Sequence, residues 1–565
     1  MALTKNKLCS WLSIWWPETF AVTLGLIFAV SIPLQAWFLP PTRAYAGFVQ
    51  LDQPVYYACA RETFERGNGV FYANPYSNDP NSPRIYSHFC FLLIGWFWRL
   101  TGISFTAIDG AIRILFGPLM LLLAAAIYRR IHPRDSLTGW GAAALLCSGG
   151  FAWLGGGINT IVDYLLLDSN RPVQEGFFAW VRHMYLTEFF WAESGYGDWH
   201  VTLFRNLFYS PEVLYHILFF VSVLGFLSRK WVVGTIALFL TWWSHPYTGL
   251  QLNLIVGAWL ALEWWQRRSI PLSALVANAL IGLTFVGYYG VFLSRFPEHV
   301  STLEQMRGFG AIMLPERMLW AYGAFLLLPF GYFRSPQFRQ DWSERPEVRF
   351  VVIWLGISLF LNLHDKLLPF LPSMQPLHFS HGYLAMPLVI LSVSSLHVWN
   401  TKWREAGLAR RGVVVAAILF FLHMPDNLIW SLRVIPRLPQ ASLVFAPVKE
   451  EMELLKHLEA LPTTETIMIV SAPLFVGAGT QYLLPVFTHH NGLLCHFFNT
   501  PYVQAKQELV DAFRKAPSRE LLQKAGITAI LTNRKYWQDL QTSLTGVTGP
   551  VLLEYQDAIL GRVQP

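Results

Sequence analysis

The chain has 565 residues, of which 54% are hydrophobic and only 14% are charged. Polar side chains are too few to coat a soluble body of this size, so the composition excludes an ordinary soluble protein and predicts a polytopic α-helical membrane protein. The formal net charge of +7 does not indicate nucleic-acid binding, because Lys and Arg occur in short groups at the ends of apolar runs. The five cysteines are widely scattered and predict neither a disulfide framework nor a zinc site.

The first predicted element is a retained signal anchor. Lys5 and Lys7 precede an apolar run of roughly twenty residues, and no small-residue cleavage site follows. The whole chain is expected to hold about 11–13 transmembrane helices. A shorter apolar run, His88 to Leu100, either crosses the membrane or lies at its surface. The candidate spans lie near residues 18–40, 108–128, 139–158, 211–228, 231–245, 249–265, 271–293, 318–333, 348–364, 381–398 and 411–429.

The distribution of positive charge orients these spans. If the run His88 to Leu100 does not cross, the basic groups between spans all face the cytoplasm. If it does cross, the group Arg129 to Arg134 moves outside, and Gly176 to Trp191 becomes a candidate for a further crossing. Both versions leave the C-terminal segment outside. The first version places four loops outside: 41–86, 159–210, 294–317 and 365–380. Ionisable groups then gather on one face, which predicts an extracytoplasmic active site at the plasma (inner) membrane.

The first outer loop, 41–86, contains the leading candidate, Asp52. Pro54 follows it closely, so Asp52 is expected to begin a helix, and its carboxylate either performs chemistry or caps that helix. An Arg61 on the inner face of the same helix would bind phosphate, since guanidinium contacts phosphate oxygens in pairs. Proline and Asx residues make the stretch 74–84 a run of turns, and Arg84 at its end is a second candidate cation.

The second outer loop, 159–210, places carboxylates, aromatic rings and a cation side by side in Glu193, Asp198 and Arg205, as suits carbohydrate or lipid-phosphate binding. His245 lies at the outer end of a span where Pro246 breaks the helix, and it either faces a cavity or packs against its neighbours. His378 and His381 are three residues apart, but neither a carboxylate nor a third histidine accompanies them at the usual spacing, so no metal site is expected. Walker A, Gly-x-Gly-x-x-Gly, His-Glu-x-x-His and Gly-x-Ser-x-Gly motifs are absent from the sequence.

After Trp430 the pattern changes to that of a small α/β domain. We expect residues 1–435 to form the multi-pass region and 436–565 a soluble extracytoplasmic domain. An amphipathic helix is predicted from Lys449 to Leu458. Strands are predicted at 466–471, 527–532 and 551–555, and further helices at 502–513 and 519–524.

The first loop resembles a known superfamily. It reads LDQPVYYACARETFERGNGVFYANPY after the first span, is followed by the apolar run after Pro83, and leads to Ile112-Arg113-Ile114-Leu115 at the start of the next span. This pattern resembles the GT-C superfamily of integral-membrane glycosyltransferases. It is most similar to the bacterial branch related to protein O-mannosyltransferases and lipid A aminoarabinose transferases, whose first loop often reads acidic-x-x-x-Tyr-x-x-x-Ala-Arg. The resemblance covers the N-terminal third well, the general architecture throughout and the C-terminal α/β domain loosely, and it implies a GT-C-like fold.

The resemblance implies an inverting glycosyltransferase with a polyprenyl-phosphate-sugar donor and a glycan, lipid or protein acceptor outside the membrane. Asp52 matches the acidic residue of the first loop and would act as general base or would orient the acceptor hydroxyl. Arg61 matches the motif as a ligand of the donor phosphate. Arg84, Arg205 and His245 are further candidate ligands of the donor phosphate, because the negative charge of the leaving phosphate needs cations.

One departure from the family pattern concerns metal dependence. Many members carry two adjacent acidic residues where this chain has Asp52-Gln53, so a second carboxylate would come from Asp198 or Glu193. No cofactor follows with certainty, and a divalent cation stays possible. Two other functions stay open: a non-catalytic GT-C-like protein that binds lipid or glycan, and a transporter. A transporter usually shows internal repeats and charge at mid-membrane, which this sequence lacks.

Overall fold

The computed structural model describes residues 5–132, 136–166, 202–267, 270–307, 315–370, 374–408, 410–441, 443–470, 476, 478–543 and 548–564. Within them the protein is mostly helical, with a mixed β-sheet near the C-terminus. The candidate carboxylates Glu193 and Asp198 lie outside the described residues, as does the segment Gly176 to Trp191. The helices are Lys5–Leu34, Gln53–Glu62, Phe89–Thr101, Phe105–Ile131, Ser136–Cys147, Ala152–Leu166, Ser210–Leu227, Trp231–Ser244, Pro246–Arg267, Leu272–Val286, Pro297–Arg307, Pro315–Tyr322, Pro329–Phe333, Pro336–Glu344, Pro346–Asn362, His364–Leu367, Ala385–Glu405, Arg411–Val434, Leu438–Ala441, Lys449–Glu459, Ala478–Phe487, Val503–Lys515, Arg519–Lys524 and Arg534–Ser543.

Among the described residues, five helical spans are long and apolar enough to cross a membrane by length and composition. They are Trp16–Phe38, Phe105–Ile131, Ser210–Leu227, Leu272–Arg295 and Arg411–Gln440. A bent pair of helices makes up to six. The remaining candidate spans also form helices, but these are shorter, broken or less apolar, so the expected count of about 11–13 stays a prediction. The protein is a multi-pass helical membrane protein.

The bent pair lies at the candidate span predicted near 139–158. Leu137–Cys147 and Ala152–Val162 meet at 60°, so the candidate span at 139–158 is either a broken span or a re-entrant loop. The Asp426 carboxylate accepts hydrogen bonds from the backbone of Gly150 at 2.7 Å and of Trp153 at 2.8 Å. The carboxylate thereby accepts hydrogen bonds from backbone N–H groups at the start of the second helix, which have no partner within that helix. A cap supplied by a distant residue cannot be seen in local sequence periodicity.

The apolar run His88 to Leu100 forms the helix Phe89–Thr101, which ends at Gly102 in the left-handed conformation with φ of 67°. Its 13 residues extend for about 20 Å at about 1.5 Å per residue, short of the roughly 30 Å of a hydrocarbon core. The length therefore favours the version in which this run does not cross. Gly95 lets the helix pack closely on Gln53–Glu62, since a Cβ there would lie 2.1 Å from the carbonyl oxygen of Ala60.

The chain divides into two compact units. The first, here called the helical unit, comprises Met1–Val30, Arg113–Phe285 and Gly310–Val434. The second, here called the mixed unit, comprises Ser31–Ile112, Val286–Phe309 and Ile435–Pro565. The loop 41–86 thus belongs to the same unit as the C-terminal segment. The folding of residues 436–565 as a separate domain stays a prediction.

The sheet of the mixed unit has five strands in the order β2-β1-β3-β5-β4. Strand β1 pairs in parallel with β2 and β3, and β5 pairs antiparallel with β3 and β4. The predicted strands correspond to β1, β3 and β4. Two strands were not predicted: β2 has only two residues, and β5 follows β4 through a turn whose left-handed residue is Gln556 rather than glycine. The strands are β1 (Thr466–Ile469), β2 (Asn491–Gly492), β3 (Ala529–Asn533), β4 (Thr548–Tyr555) and β5 (Ala558–Val563).

Candidate active site

Asp52 stands at the start of the helix Gln53–Glu62, as predicted, but it does not act as a helix cap. Its backbone is helical, with φ of −80° and ψ of −22°, and its side chain makes no capping hydrogen bond. The neighbouring Gln53 side chain instead accepts a hydrogen bond from the backbone of Val49. Pro54 lies in the first turn and has no N–H group, so its backbone nitrogen requires no hydrogen-bond acceptor there. The Asp52 carboxylate is therefore not engaged by the helix start, and its side chain is 43% exposed.

The partner of Asp52 is an imidazole from the C-terminal segment. His496 Nε2 lies 3.0 Å from Asp52 Oδ1, and the His496 side chain is only 2% exposed. The contact is an ion-pair distance rather than an aligned hydrogen bond, and Nε2 has no hydrogen-bond partner in the described structure. His496 is thus a buried group whose ring nitrogen faces a half-exposed carboxylate.

The other ring nitrogen of His496 fixes the tautomer. Nδ1 accepts a hydrogen bond from the backbone N–H of Phe498 at 3.2 Å, and the side-chain nitrogen of Asn499 lies 3.0 Å from it. A nitrogen that accepts a hydrogen bond carries no proton, so the neutral imidazole holds its proton on Nε2, on the side of Asp52. Thr500 steadies the turn, because its hydroxyl oxygen accepts from the backbone of His496 at 3.0 Å.

Two tyrosine rings flank His496. Tyr482 meets the imidazole edge-on with ring centroids 5.1 Å apart, and Tyr76 lies at 5.9 Å. Burial raises the pKa of both phenols, and the negative charge of Asp52 adds to the effect. Both phenols therefore stay protonated at neutral pH. The Tyr76 hydroxyl is buried without a hydrogen-bond partner in the described residues, so it can donate to a hydroxyl or oxyanion that enters the site.

Arg61, the cation implied by the motif, is 5% exposed and held by protein groups. Its guanidinium donates to Glu65 at 2.8 Å and to Glu459 at 2.6 Å, and it lies over the ring of Trp98 at 5.4 Å. Burial by itself lowers the pKa of Arg61, but the two carboxylates outweigh burial and raise it. Its charge is thus largely matched within the protein. The contact with Glu459 joins the first loop to the helix Lys449–Glu459.

Arg84 is arranged differently from Arg61. It is exposed, and its guanidinium donates to the carbonyl oxygens of Gly67 at 2.6 Å and Arg66 at 2.9 Å. Within the part of the chain that the structure describes, Arg84 forms no ion pair. Two carbonyl oxygens orient the guanidinium without neutralising it, so its positive charge is available to an anionic ligand.

Arg205 and His245 belong to the helical unit. Arg205 is 1% exposed, donates to the side-chain oxygen of Asn427 at 3.0 Å and lies over a tryptophan ring at 5.1 Å. His245 ends the helix Trp231–Ser244, and its Nδ1 lies 2.8 Å from the hydroxyl oxygen of Thr248. Asp52, Arg61 and Arg84 lie in the mixed unit. Among the described residues, no group of three potential metal ligands includes Asp52.

Fold and site together describe a multi-pass helical membrane protein whose first loop carries a carboxylate held by the C-terminal segment. No family model matches the chain, and no curated protein sequence matches it. Solved structures of similar fold do exist, with identities of 10–14%.

The chain is similar to ArnT from Cupriavidus metallidurans bound to undecaprenyl phosphate, at 12% identity and a TM-score of 0.46, covering 96% of this chain and 97% of that one. The apo state of ArnT matches at 14% identity and a TM-score of 0.42, covering 95% and 97%. The oligosaccharyltransferase of Archaeoglobus fulgidus, tethered with an acceptor peptide, matches at 10% identity and a TM-score of 0.43, covering 93% and 70%. We infer the function from the residues of the site and from the first-loop sequence.

The functional candidate that the sequence did not reveal is His496. It lies between β2 and the helix Val503–Lys515, in a segment without a recognisable motif. The only local hint is the polar and turn-forming character of Asn499-Thr500-Pro501 after it. The partnership with Asp52 depends on the packing of the first loop against the C-terminal segment, which no local pattern encodes.

Proposed function

We propose that this protein is a membrane glycosyltransferase that moves a sugar from a polyprenyl-phosphate donor to an acceptor hydroxyl on the outer face of the plasma membrane. The observation that carries the proposal is the state of Asp52. This carboxylate occupies the acidic position of a GT-C-like first loop, makes no capping bond, is 43% exposed and faces a buried imidazole. A group that only stabilised the helix start would be expected to bond to it.

The proposed chemistry is a single displacement with inversion. Asp52 accepts the proton of the acceptor hydroxyl while the acceptor oxygen forms a bond to the anomeric carbon of the sugar. The bond between that carbon and the phosphate oxygen breaks, and the bonding electrons leave with the polyprenyl phosphate. A carboxylate is required because a neutral hydroxyl is a weak nucleophile until a base takes its proton.

His496 is proposed to position the base. Its Nε2 lies beside Oδ1, so the other carboxylate oxygen of Asp52 is left to receive the proton. Because Nδ1 accepts hydrogen bonds, the ring proton lies on Nε2, and Nε2 offers no lone pair toward Asp52. The carboxylate, not the imidazole, is therefore the proposed base. Tyr76 and Tyr482 would supply a sugar-binding wall of aromatic rings with hydroxyl donors.

The leaving phosphate requires positive charge. Arg84 meets this need best, because its guanidinium is exposed, oriented and not matched by a carboxylate among the described residues. Arg61, Arg205 and His245 stay predicted phosphate ligands. The buried ion pairs of Arg61 favour a supporting role, in which it holds the helix that carries Asp52. Glu193 and Asp198 stay predicted sources of a second carboxylate.

The test is the lipid content of the purified protein, read by mass spectrometry of co-purified isoprenoid phosphates. Three forms are compared: wild type, Asp52→Asn, and Asp79→Asn as a matched change at an exposed carboxylate of the same loop. We expect intact polyprenyl-phosphate sugar on Asp52→Asn, and the spent polyprenyl phosphate on the other two. Ordinary phospholipid alone on all three would contradict the donor class. Equal amounts of intact donor on all three would contradict the role of Asp52 and favour a non-catalytic lipid-binding protein.

A further inference from the structure

Four imidazoles and one carboxylate gather inside the helical unit, and the proposed transfer reaction uses at most one of them. The five residues are Glu212, His216, His245, His378 and His381. Three of the five are buried and the other two, His245 and His378, are half-buried. Such a concentration of ring nitrogens in a membrane protein calls for a chemical explanation, since buried polar groups are costly unless they have partners.

Three separate segments deliver these side chains. Glu212 and His216 are one turn apart on Ser210–Leu227 and so share a helix face. His245 follows the last residue of Trp231–Ser244. His378 and His381 come from the turn before Ala385–Glu405. The sequence shows only the pair His378 and His381, which is why no metal site was expected there.

The distances place the ligand atoms in two overlapping sets. One atom each from Glu212, His216 and His381 lie within 4.8 Å of one another, and the same holds for His245, His378 and His381. Glu212 Oε2 lies 3.9 Å from His381 Nδ1. His381 belongs to both sets, so the two groups of three ligand atoms adjoin each other at this residue.

The orientation of His216 points to a ligand. Its Nδ1 lies 2.5 Å from the hydroxyl oxygen of Tyr383, while its Nε2 is buried and has no hydrogen-bond partner in the described structure. Histidines that bind a metal through one nitrogen commonly form a hydrogen bond through the other, which fixes the ring and its tautomer.

The backbone holds His381 in an unusual conformation. Its φ is +30°, which residues with a Cβ rarely adopt, and the following Gly382 has φ of +77°. The carbonyl oxygen of His381 accepts a hydrogen bond from the Asn206 side chain at 2.8 Å. A Cβ on Gly382 would lie 2.7 Å from the backbone of Leu203, so the turn is tightly constrained. Backbone strain of this kind persists where surrounding structure fixes the residue.

Protonated imidazoles at these distances would repel one another in a medium of low dielectric constant, which favours neutral rings. Each neutral ring has one nitrogen with a lone pair, and a transition-metal ion accepts several such lone pairs at once.

We propose that this cluster binds one transition-metal ion of the Zn²⁺ class. Glu212, His216 and His381 would be its ligands, and rotation of the neighbouring His245 or His378 would bring a nitrogen into the fourth position. Nitrogen and carboxylate ligands at about 2.0–2.1 Å from a metal ion stand about 3.3 Å apart in a tetrahedron. The atoms of Glu212, His216 and His381 lie within 4.8 Å of one another, so small side-chain rotations would bring these three to that spacing. The ion would link the start of Ser210–Leu227 to the turn before Ala385–Glu405, a structural role that does not depend on the proposed glycosyl transfer.

The first test is metal content and spectroscopy on the full-length protein in detergent, after removal of any affinity tag. The probes are Zn²⁺ and Co²⁺ alone, with Mg²⁺ as a hard-cation comparison. We expect about one Zn²⁺ ion per chain after dialysis, and visible absorption bands of four-coordinate Co²⁺ on loading with that ion. Thermal unfolding of the wild type should shift upward with Zn²⁺ and not with Mg²⁺.

Variants locate the site. His381→Gln removes the residue common to both sets and should abolish the Co²⁺ bands, whereas His299→Gln, a half-buried histidine in the mixed unit, should keep them. His216→Gln should also abolish tight binding. Unchanged Co²⁺ bands in His381→Gln would overturn the proposal, and so would a wild type that neither retains Zn²⁺ nor is stabilised by it. The wild-type measurements decide the matter even if a variant fails to fold.

Discussion

The carboxylate of Asp52 lies 3.0 Å from Nε2 of His496, and this contact joins the first loop to the C-terminal segment. The imidazole is buried and its Nδ1 is held by backbone and amide groups, so it is a fixed partner. The carboxylate is half-exposed and can turn its second oxygen toward an incoming group. A fixed imidazole beside an accessible carboxylate is consistent with the general-base role proposed for Asp52.

Replacing Asp52 by Asn should abolish sugar transfer while leaving the protein folded. The change keeps the shape of the side chain and removes its basicity, and general-base contributions are typically about 10²- to 10⁴-fold. Asp52→Ala should lower the free energy of unfolding by less than the roughly 1 kcal/mol of a lost cap, because no capping bond exists. Transfer assays in proteoliposomes and thermal unfolding check the two expectations, with Asp79→Asn as control. Full activity in Asp52→Asn would disprove the assignment.

Replacing His496 by Gln should lower kcat by about tenfold or more, with little change in the KM for the donor. Gln can still approach Asp52, but it cannot reproduce the rigid imidazole whose Nδ1 is bound by Phe498 and Asn499. Steady-state kinetics with a polyprenyl-phosphate sugar separate the two constants. His489→Gln is the matched control, because that histidine pairs with Glu459 instead. A rise in KM at constant kcat would instead assign His496 to donor binding.

Arg84 and Arg61 should behave differently when each is replaced by Gln. Arg84→Gln should raise the KM for the donor with little loss of stability, because its guanidinium is exposed and matched by no carboxylate among the described residues. Arg61→Gln should lower the free energy of unfolding by about 2 kcal/mol, since it removes a buried cation from its ion pairs with Glu65 and Glu459. Kinetics and thermal unfolding on both variants test this contrast. Equal effects on both measurements would contradict it.

Glu451 should make the stability of the mixed unit depend on pH. Burial raises the pKa of this carboxyl to about 7, although hydrogen bonds that include one from Thr480 oppose the shift. The folded protein therefore binds a proton that the unfolded chain has lost between pH about 4.5 and about 7. Stability should be greatest below this window and fall as pH rises through it, by up to about 3 kcal/mol.

Glu451→Gln should remove that pH dependence, because the amide keeps the shape and does not ionise. Hydrogen exchange across Lys449–Glu459, corrected for the intrinsic effect of pH on exchange rates, measures the local opening free energy. Glu520→Gln, a change at an exposed carboxylate, should leave the wild-type pH dependence in place. An unchanged slope in Glu451→Gln would assign the effect to another group.

Several features followed from sequence because their causes are local. The length of the apolar runs predicted long helices such as Phe105–Ile131. The change of pattern after Trp430 predicted the α/β segment with strands β1, β3 and β4. The spacing between the first span and Asp52, with Pro54 after it, predicted the helix start at Gln53. Each of these depends on residues within one or two turns of one another.

The sequence alone thus determined that the chain is a multi-pass helical membrane protein with an acidic first loop. Tertiary structure decided what the acidic group does: Asp52 meets His496 and does not cap its helix. It also decided that Asp426 starts a helix far away in the chain, and that Arg61 is matched by Glu459. The reason is physical: periodicity and capping act over a few residues, whereas these partnerships arise only when distant segments pack together and polar groups find their partners.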